Sequence, residues 1–186
     1  FPVALLAVRY SSLFSNLVER STYIGFAMPG IVVALALVFF GANYATIFYQ
    51  SMVMLIFAYV VLFIPQAVGT LRSSLLQLNP RIEEAARSLG YGPWQTMRLV
   101  TVPMVRTGLL TGVALVFLTT MKELPATLLL APTGFSTLAT RIWSATNDAF
   151  FTQAAALALV LIAVTALSMT IILSEEQQSK RKLSNR

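Results

Sequence analysis

The sequence predicts an all-α, polytopic membrane helical bundle, and three observations carry that prediction. Of 186 residues, 57% are hydrophobic and 11% are charged, where soluble domains carry roughly 25% charged residues. The apolar residues gather into long runs, four of them about 20 residues long, which is the length that crosses a hydrocarbon core of ~30 Å. All the charged residues but Arg106 lie between these runs rather than inside them. A net charge of +6 distributed in this way fits a membrane surface better than nucleic acid. There is no cysteine and no histidine, so a disulfide scaffold and thiolate or imidazole metal ligands are excluded. No cofactor is expected.

Taken in order, Pro2 to Val8 reads as the end of an apolar helix whose beginning lies upstream, and no signal-peptide pattern occurs at the start. The chain is therefore expected to be part of a longer polypeptide, with residues 1–186 forming one transmembrane domain. Residues 10–22 are amphipathic, with Tyr10, Leu13, Phe14 and Leu17 opposite Ser12, Ser15, Asn16, Glu19 and Arg20. They suit an interfacial helix or a plain linker. The first complete span is placed at about 24–42, kinked near Pro29-Gly30 by a packing irregularity or a hinge. Tyr44 and Tyr49 follow as interface aromatics. The second span, about 50–68, carries Pro65 near its end. The third, about 103–121, has Arg106 near its start, able to snorkel to the interface. Its Gly108 and Gly112 form a small-xxx-small pair that permits close helix contact. Residues 122–149 make a long connection: Leu124–Leu130 is too short to span, Pro132-Thr133-Gly134 is a turn, and 136–144 is a surface helix with Trp143 at the interface. The fourth span is about 154–173, followed by a polar tail with Lys180, Arg181, Lys182 and Arg186.

Between the second and third spans lies a charged island, residues 79–103. Asn79 can cap a helix that begins at Pro80, where a missing N–H costs nothing. Glu83 and Glu84 sit near its start, where the helix dipole favours carboxylates. Ile82, Ala85, Ala86 and Leu89 share one stripe at i, i+3, i+4 and i+7. Gly90 and Gly92 release the backbone to end the helix. Pro93 starts a second short helix, which Pro103 closes or hands on to the third span. Two short helices joined at an angle by a Gly-x-Gly turn make a rigid knob on the membrane surface.

This island resembles the EAA loop of ABC-transporter inner-membrane permeases, whose pattern is E-A-A-x(3)-G-x(9)-I-x-L-P. Glu84, Ala85, Ala86, Gly90 and Pro103 match it at the right spacing. Val100 and Val102 stand where the pattern has Ile and Leu, so both positions stay apolar. The resemblance implies a type I ABC importer permease-like bundle with a cytoplasmic coupling helix. It also implies that Glu83, Glu84, Ala85, Ala86, Gly90 and Pro103 couple the chain to an ATPase. Implied partners are a cytoplasmic ABC ATPase dimer, a periplasmic or extracellular substrate-binding protein, a second permease half or copy, and the lipid bilayer, with no nucleic acid. The implied location is the bacterial inner membrane, multi-pass. Charge counting agrees. With the loop and the C-terminus cytoplasmic, only Lys122 and Arg141 of the 13 basic residues fall outside, as the positive-inside rule requires.

Met121–Leu130, Pro132-Thr133-Gly134-Phe135, Leu138–Trp143 and Ala27–Val32 are similar to the ferric-iron branch of these permeases. The resemblance covers nearly the whole chain and implies that it is the C-terminal half of a permease built from two similar halves; related branches carry thiamine, polyamines or sulfate. The sequence has no G-x-x-x-x-G-K-[ST] phosphate loop, so the chain is not expected to be an enzyme, and ATP hydrolysis is expected on a separate subunit. Lys122, Glu123 and Arg141 fit interface anchoring or the mouth of a substrate pathway. A secondary transporter or channel is the rival from another class, but it would more often carry charges deep in its spans.

Overall fold

The computed structural model describes residues 1–9 and 12–184, with side chains through residue 170. Helix α1 is Pro2–Arg9, α2 Leu13–Thr22, α3 Ile24–Ala27, α4 Gly30–Tyr44, α5 Met52–Gln77, α6 Pro80–Ser88 and α7 Pro93–Thr96. A π-helical turn, Met97–Thr101, leads into α8, Val102–Met104; then come α9 Arg106–Met121, α10 Pro125–Leu130, α11 Leu138–Asn147 and α12 Phe151–Ser184. No strand occurs among the described residues. Residues 52–77 and 151–170 are long and apolar enough to cross a membrane. Residues 93–104 and 106–121 qualify together, bent by 67°.

The helix limits differ from the expected spans for reasons written in the prolines. Met28 is extended, at φ −110° and ψ 135°, as a residue preceding proline prefers. The first span is thus divided into α3 and a 15-residue α4. In α5 the helix passes Pro65 without ending and runs to Gln77, nine residues beyond the expected limit at 68. Around Pro103 the ladder widens. The N–H of Val102 reaches Met97 O, the i→i−5 bond of a π turn, just before a residue with no N–H to donate.

The chain divides into two compact units, one of residues 1–21, 66–115 and 172–186, the other of 22–65 and 116–171. In the first unit, α5 and α9 approach closely through small residues. A Cβ built on Gly108 would lie 1.7 Å from Ser74 Oγ and 2.5 Å from Ser74 Cβ. One on Gly112 would lie 2.5 Å from Thr70 Oγ1. The glycine pair read from the sequence therefore marks a real contact, and its partners are the hydroxyl residues Thr70 and Ser74. Both turn their hydroxyls back to α5 carbonyls, which leaves room for the glycines. On the same unit Arg72 pairs with Glu19 at 2.8 Å, holding α2 to α5. Leu13, Phe14 and Leu17 of α2 are exposed while Ser15 is buried and donates to Leu6 O. Tyr10, expected on the same apolar side, lies outside the described residues, as do the side chains of Lys180, Arg181, Lys182 and Arg186.

The second unit has its core where α4, α5 and α10 meet: Val33, Ala34, Met54, Leu55, Ala58, Leu62, Ala126 and Leu130. The apolar segment at 124–130, too short to span, forms the partly buried helix α10, with Ala126, Thr127 and Leu130 buried and Leu128 exposed. Pro65 removes the N–H that the carbonyl of Val61 would have accepted. Gly25 of α3 faces that carbonyl, and a Cβ there would sit 2.2 Å from the oxygen. Only a glycine allows α3 so near. Helix α11 begins at Thr137, whose hydroxyl accepts from the Thr140 N–H at 3.3 Å. Gly134, at φ +85°, completes the turn that Phe135 N closes on Pro132 O. Leu159, Val160, Ile162 and Leu167 of α12 are exposed, an apolar surface suited to hydrocarbon rather than water.

Candidate functional site

The knob at 79–103 lies wholly in the first unit. Asn79 Oδ1 accepts from the Arg81 N–H at 3.1 Å and Pro80 opens α6, the cap read from the sequence. The C-terminus is a Schellman closure. Tyr91 N donates to Ala86 O at 3.2 Å and Gly90 N to Arg87 O at 3.0 Å. Gly90 takes φ +91°, a conformation that side chains with a Cβ resist. Gly92 then gives its N–H to Gln95 Oε1 at 3.0 Å while Pro93 begins α7. Each turn residue is explained by a bond or a dihedral angle, so the two helices are held at a fixed angle.

The faces of α6 divide its residues differently from the expected stripe. Ile82, Ala85 and Leu89 are exposed, Leu89 at 79%. Ala86, expected with them, is buried, and its companion on the inner face is Glu83. The reason is a partner that sequence spacing does not reveal. Arg9, at the end of α1, places Nε 3.1 Å from Glu83 Oε2 and donates from Nη2 to Oε1 at 3.2 Å. Thr101 Oγ1 donates to the same Oε1 at 2.9 Å. The buried carboxylate thus accepts two hydrogen bonds at Oε1, and its Oε2 lies at ion-pair distance from Nε, which makes no hydrogen bond among the described residues. Glu84, one residue on, is exposed. The two adjacent glutamates therefore differ in their surroundings, one held inside and one open to a partner. Their helical phase, about 100° apart, was the available signal, together with Arg9 as the single charge at the end of an apolar helix.

Beside this pair lies an open cleft of about 540 Å³, lined among others by Arg9, Glu83, Arg87, Trp94 and Thr96. Thr96 is 2% exposed, and its hydroxyl has no protein partner among the described residues. Trp94, Tyr91 and Leu99 are exposed on the knob. Together with Ile82 and Leu89 they give it an apolar outer surface, an arrangement that marks a protein contact more often than solvation. Pro103 is exposed in α8, next to the π turn.

Lys122, Glu123 and Arg141 have separate surroundings in the second unit. Glu123 accepts from the Ala126 N–H at 3.1 Å, capping α10. Its Oε1 also lies against Gly30, 3.4 Å from where a Cβ would be, at the positive end of α4. Thr127 donates to Glu123 O at 2.9 Å and shares a hydrogen bond with Tyr59. Lys122 is exposed. Arg141 is exposed on α11, where Nε donates to Ser136 Oγ at 3.0 Å. Glu123 thus caps the start of α10 with a carboxylate that lies beside the start of α4, a role that the sequence reading missed. No group of three or more Asp, Glu, His or Cys residues able to hold a metal ion occurs among the described residues.

Comparison with known proteins bears on the family and the fold. Residues 1–176 match the family described as binding-protein-dependent transport system inner membrane component. A Haemophilus influenzae Fe(3+)-transport system permease protein, FbpB 2, is 40% identical over 92% of this chain and 34% of its own length. A candidate 2-aminoethylphosphonate transport system permease protein of Salmonella typhimurium is 30% identical over 89% of this chain and 63% of its own. The chain therefore spans about a third of the first relative and under two thirds of the second. In fold it is similar to a chain of the MetNI methionine ABC transporter in inward facing conformations, with a TM-score of 0.71 at 17% identity, covering 95% of this chain and 84% of that one. The likeness shows an ABC importer permease fold, the all-α membrane bundle expected from the sequence. With nearly its whole length matched, the chain belongs to the family of inner membrane components of binding-protein-dependent transport systems.

Proposed function

We propose that this chain is the translocating part of an ATP-driven importer, with the 79–103 knob docked from the cytoplasm on a separate ABC ATPase dimer. One observation carries the reading. Glu84, Ile82, Ala85 and Leu89 point outward on a helix whose other face is pinned by Glu83. A slim alanine-bearing helix with one free carboxylate and an apolar stripe is suited to a groove, where main-chain contact is close and the carboxylate finds a donor. The cytoplasmic placement of this knob and of the C-terminus rests on the asymmetry of basic residues. A substrate-binding protein on the opposite side and a second permease half or copy complete the assembly. Closure of the ATPase dimer moves α6, and alternating access follows from two states biased differently by ATP and by the loaded binding protein.

Ferric iron is the proposed substrate, supported by 40% identity to the Haemophilus Fe(3+)-transport permease against 30% to the phosphonate relative. The chain needs no iron ligand for this task if the binding protein carries the metal. The test is a complete permease reconstituted with its ATPase and its binding protein, loaded in turn with ferric iron and with 2-aminoethylphosphonate. Iron-dependent stimulation of ATP hydrolysis and uptake is expected; stimulation by the phosphonate alone overturns the substrate. In the same system Glu123→Ala, which removes the cap of α10 and the carboxylate beside α4, is expected to lower uptake about tenfold while the ATPase stays bound. Unchanged uptake removes Glu123 from the pathway and leaves it a structural cap.

A further inference from the structure

We infer that Glu83, with Arg9 and Thr101, is the strut through which movement of the docked helix reaches the membrane helices, and that it is not a docking residue. The inference rests on the coupling role proposed for the knob and adds a division of labour between its two adjacent glutamates. Glu83 is the point where three separate pieces of chain meet. Arg9 is 74 residues away and Thr101 is 18 residues away. Arg9 ends α1, whose Ala4 is fully buried, so pulling on its guanidinium displaces a packed helix. Thr101 ends the π turn, four residues before Val105, where the chain bends by 67° into α9. One carboxylate thus ties α6 to α1 and to the base of α9.

The chemistry suits a strut better than a surface ion pair. The side chains of Arg9 and Glu83 are 14% and 11% exposed, so water and salt screen them little. The guanidinium hydrogen-bonds Oε1 through Nη2 at 3.2 Å and faces Oε2 through Nε at an ion-pair distance of 3.1 Å, so both carboxylate oxygens lie against its charge. Removing either partner leaves the other charge buried and unmatched. Glu84 shares none of these contacts through its side chain and is exposed to a partner. A variant of Glu83 should therefore keep the ATPase and lose the connection, whereas a Glu84 variant should weaken the grip itself.

The whole importer, reconstituted with its ATPase and iron-loaded binding protein, tests this. Glu83→Gln and Arg9→Gln are each expected to retain the ATPase through purification and to lower iron transported per ATP hydrolysed about tenfold. The exchange Arg9→Glu with Glu83→Arg is expected to restore that ratio to within about threefold of wild type, as coupled residues do in a double-mutant cycle. A general loss of folding would lower transport and hydrolysis together and leave their ratio unmoved, so the ratio isolates the strut. Wild-type ratios in both single variants overturn the inference, and so does loss of the ATPase in the singles without recovery in the exchange. A wild-type chain that holds no ATPase sinks the underlying reading instead.

Discussion

Leu89→Asp is expected to release the ATPase from the purified permease while leaving the permease folded. Leu89 is 79% exposed and follows the last residue of α6, so nothing within this chain depends on its side chain. Burying a leucine against a partner stabilises a complex by about 1.5–3 kcal/mol, and placing a carboxylate there adds an unpaired charge to the cost. Together these exceed a tenfold weakening at roughly 1.4 kcal/mol per factor of ten. Co-purification of the ATPase with the variant, beside a melting curve of the permease alone, reads both halves of the prediction. Full retention of the ATPase would show that the exposed stripe faces lipid or solvent. Ile82→Asp offers the same reading about two turns earlier, where exposure is 38%.

The largest effect on stability is expected at Gly108. A Cβ there would lie 1.7 Å from Ser74 Oγ and 2.5 Å from Ser74 Cβ, distances that no rotation of the serine alone removes. Gly108→Ala should therefore part α5 and α9, at about 1–3 kcal/mol for an overpacked contact, and Gly108→Val should cost more. The rescue is specific. With Ser74→Gly added, the nearest remaining atom is Thr70 O at 3.7 Å, an ordinary contact. Thermal unfolding in detergent is expected to drop in Gly108→Ala and return most of the way in the Gly108→Ala/Ser74→Gly double variant. A single variant as stable as wild type would mean that the two helices are not in this contact in the membrane.

Much of this was legible from local chemistry. The knob was readable because every boundary in it is a backbone event: Asn79 capping, Pro80 and Pro93 at first helical positions, and Gly90 at positive φ. The Gly108–Gly112 contact was readable from spacing, but its partners were not. Thr70 and Ser74 are far away in sequence, and small hydroxyl residues in an apolar helix carry no periodic signal. The limits of the spans moved because prolines act in two ways. Pro29 divided a helix whose preceding residue was free to become extended, whereas Pro65 was absorbed, with Gly25 packed against the carbonyl it left bare. Composition does not distinguish these outcomes.

The site residues divide in the same way. Glu84 and Glu83 are alike by residue type, by position near a helix start and by distance from the glycine. Only the partner Arg9 tells them apart, and that contact crosses 74 residues. Ala86 went to the inner face with Glu83 because the ion pair fixes the rotation of α6. For Glu123 the expectation was interface anchoring or the mouth of a substrate pathway, and the fold in addition uses its carboxylate to cap α10 beside the start of α4. Helix starts created by Pro125 and Pro29 were visible in the sequence, yet their convergence on one carboxylate was not.

The account stands on which side of the bilayer the 79–103 knob occupies. With no cysteine in the sequence, a single Ser88→Cys on exposed α6 can be labelled with a membrane-impermeant maleimide. Labelling in inside-out vesicles, lost when the ATPase is added back and absent in intact spheroplasts, is the predicted result. Labelling of the same cysteine from outside intact spheroplasts would contradict it.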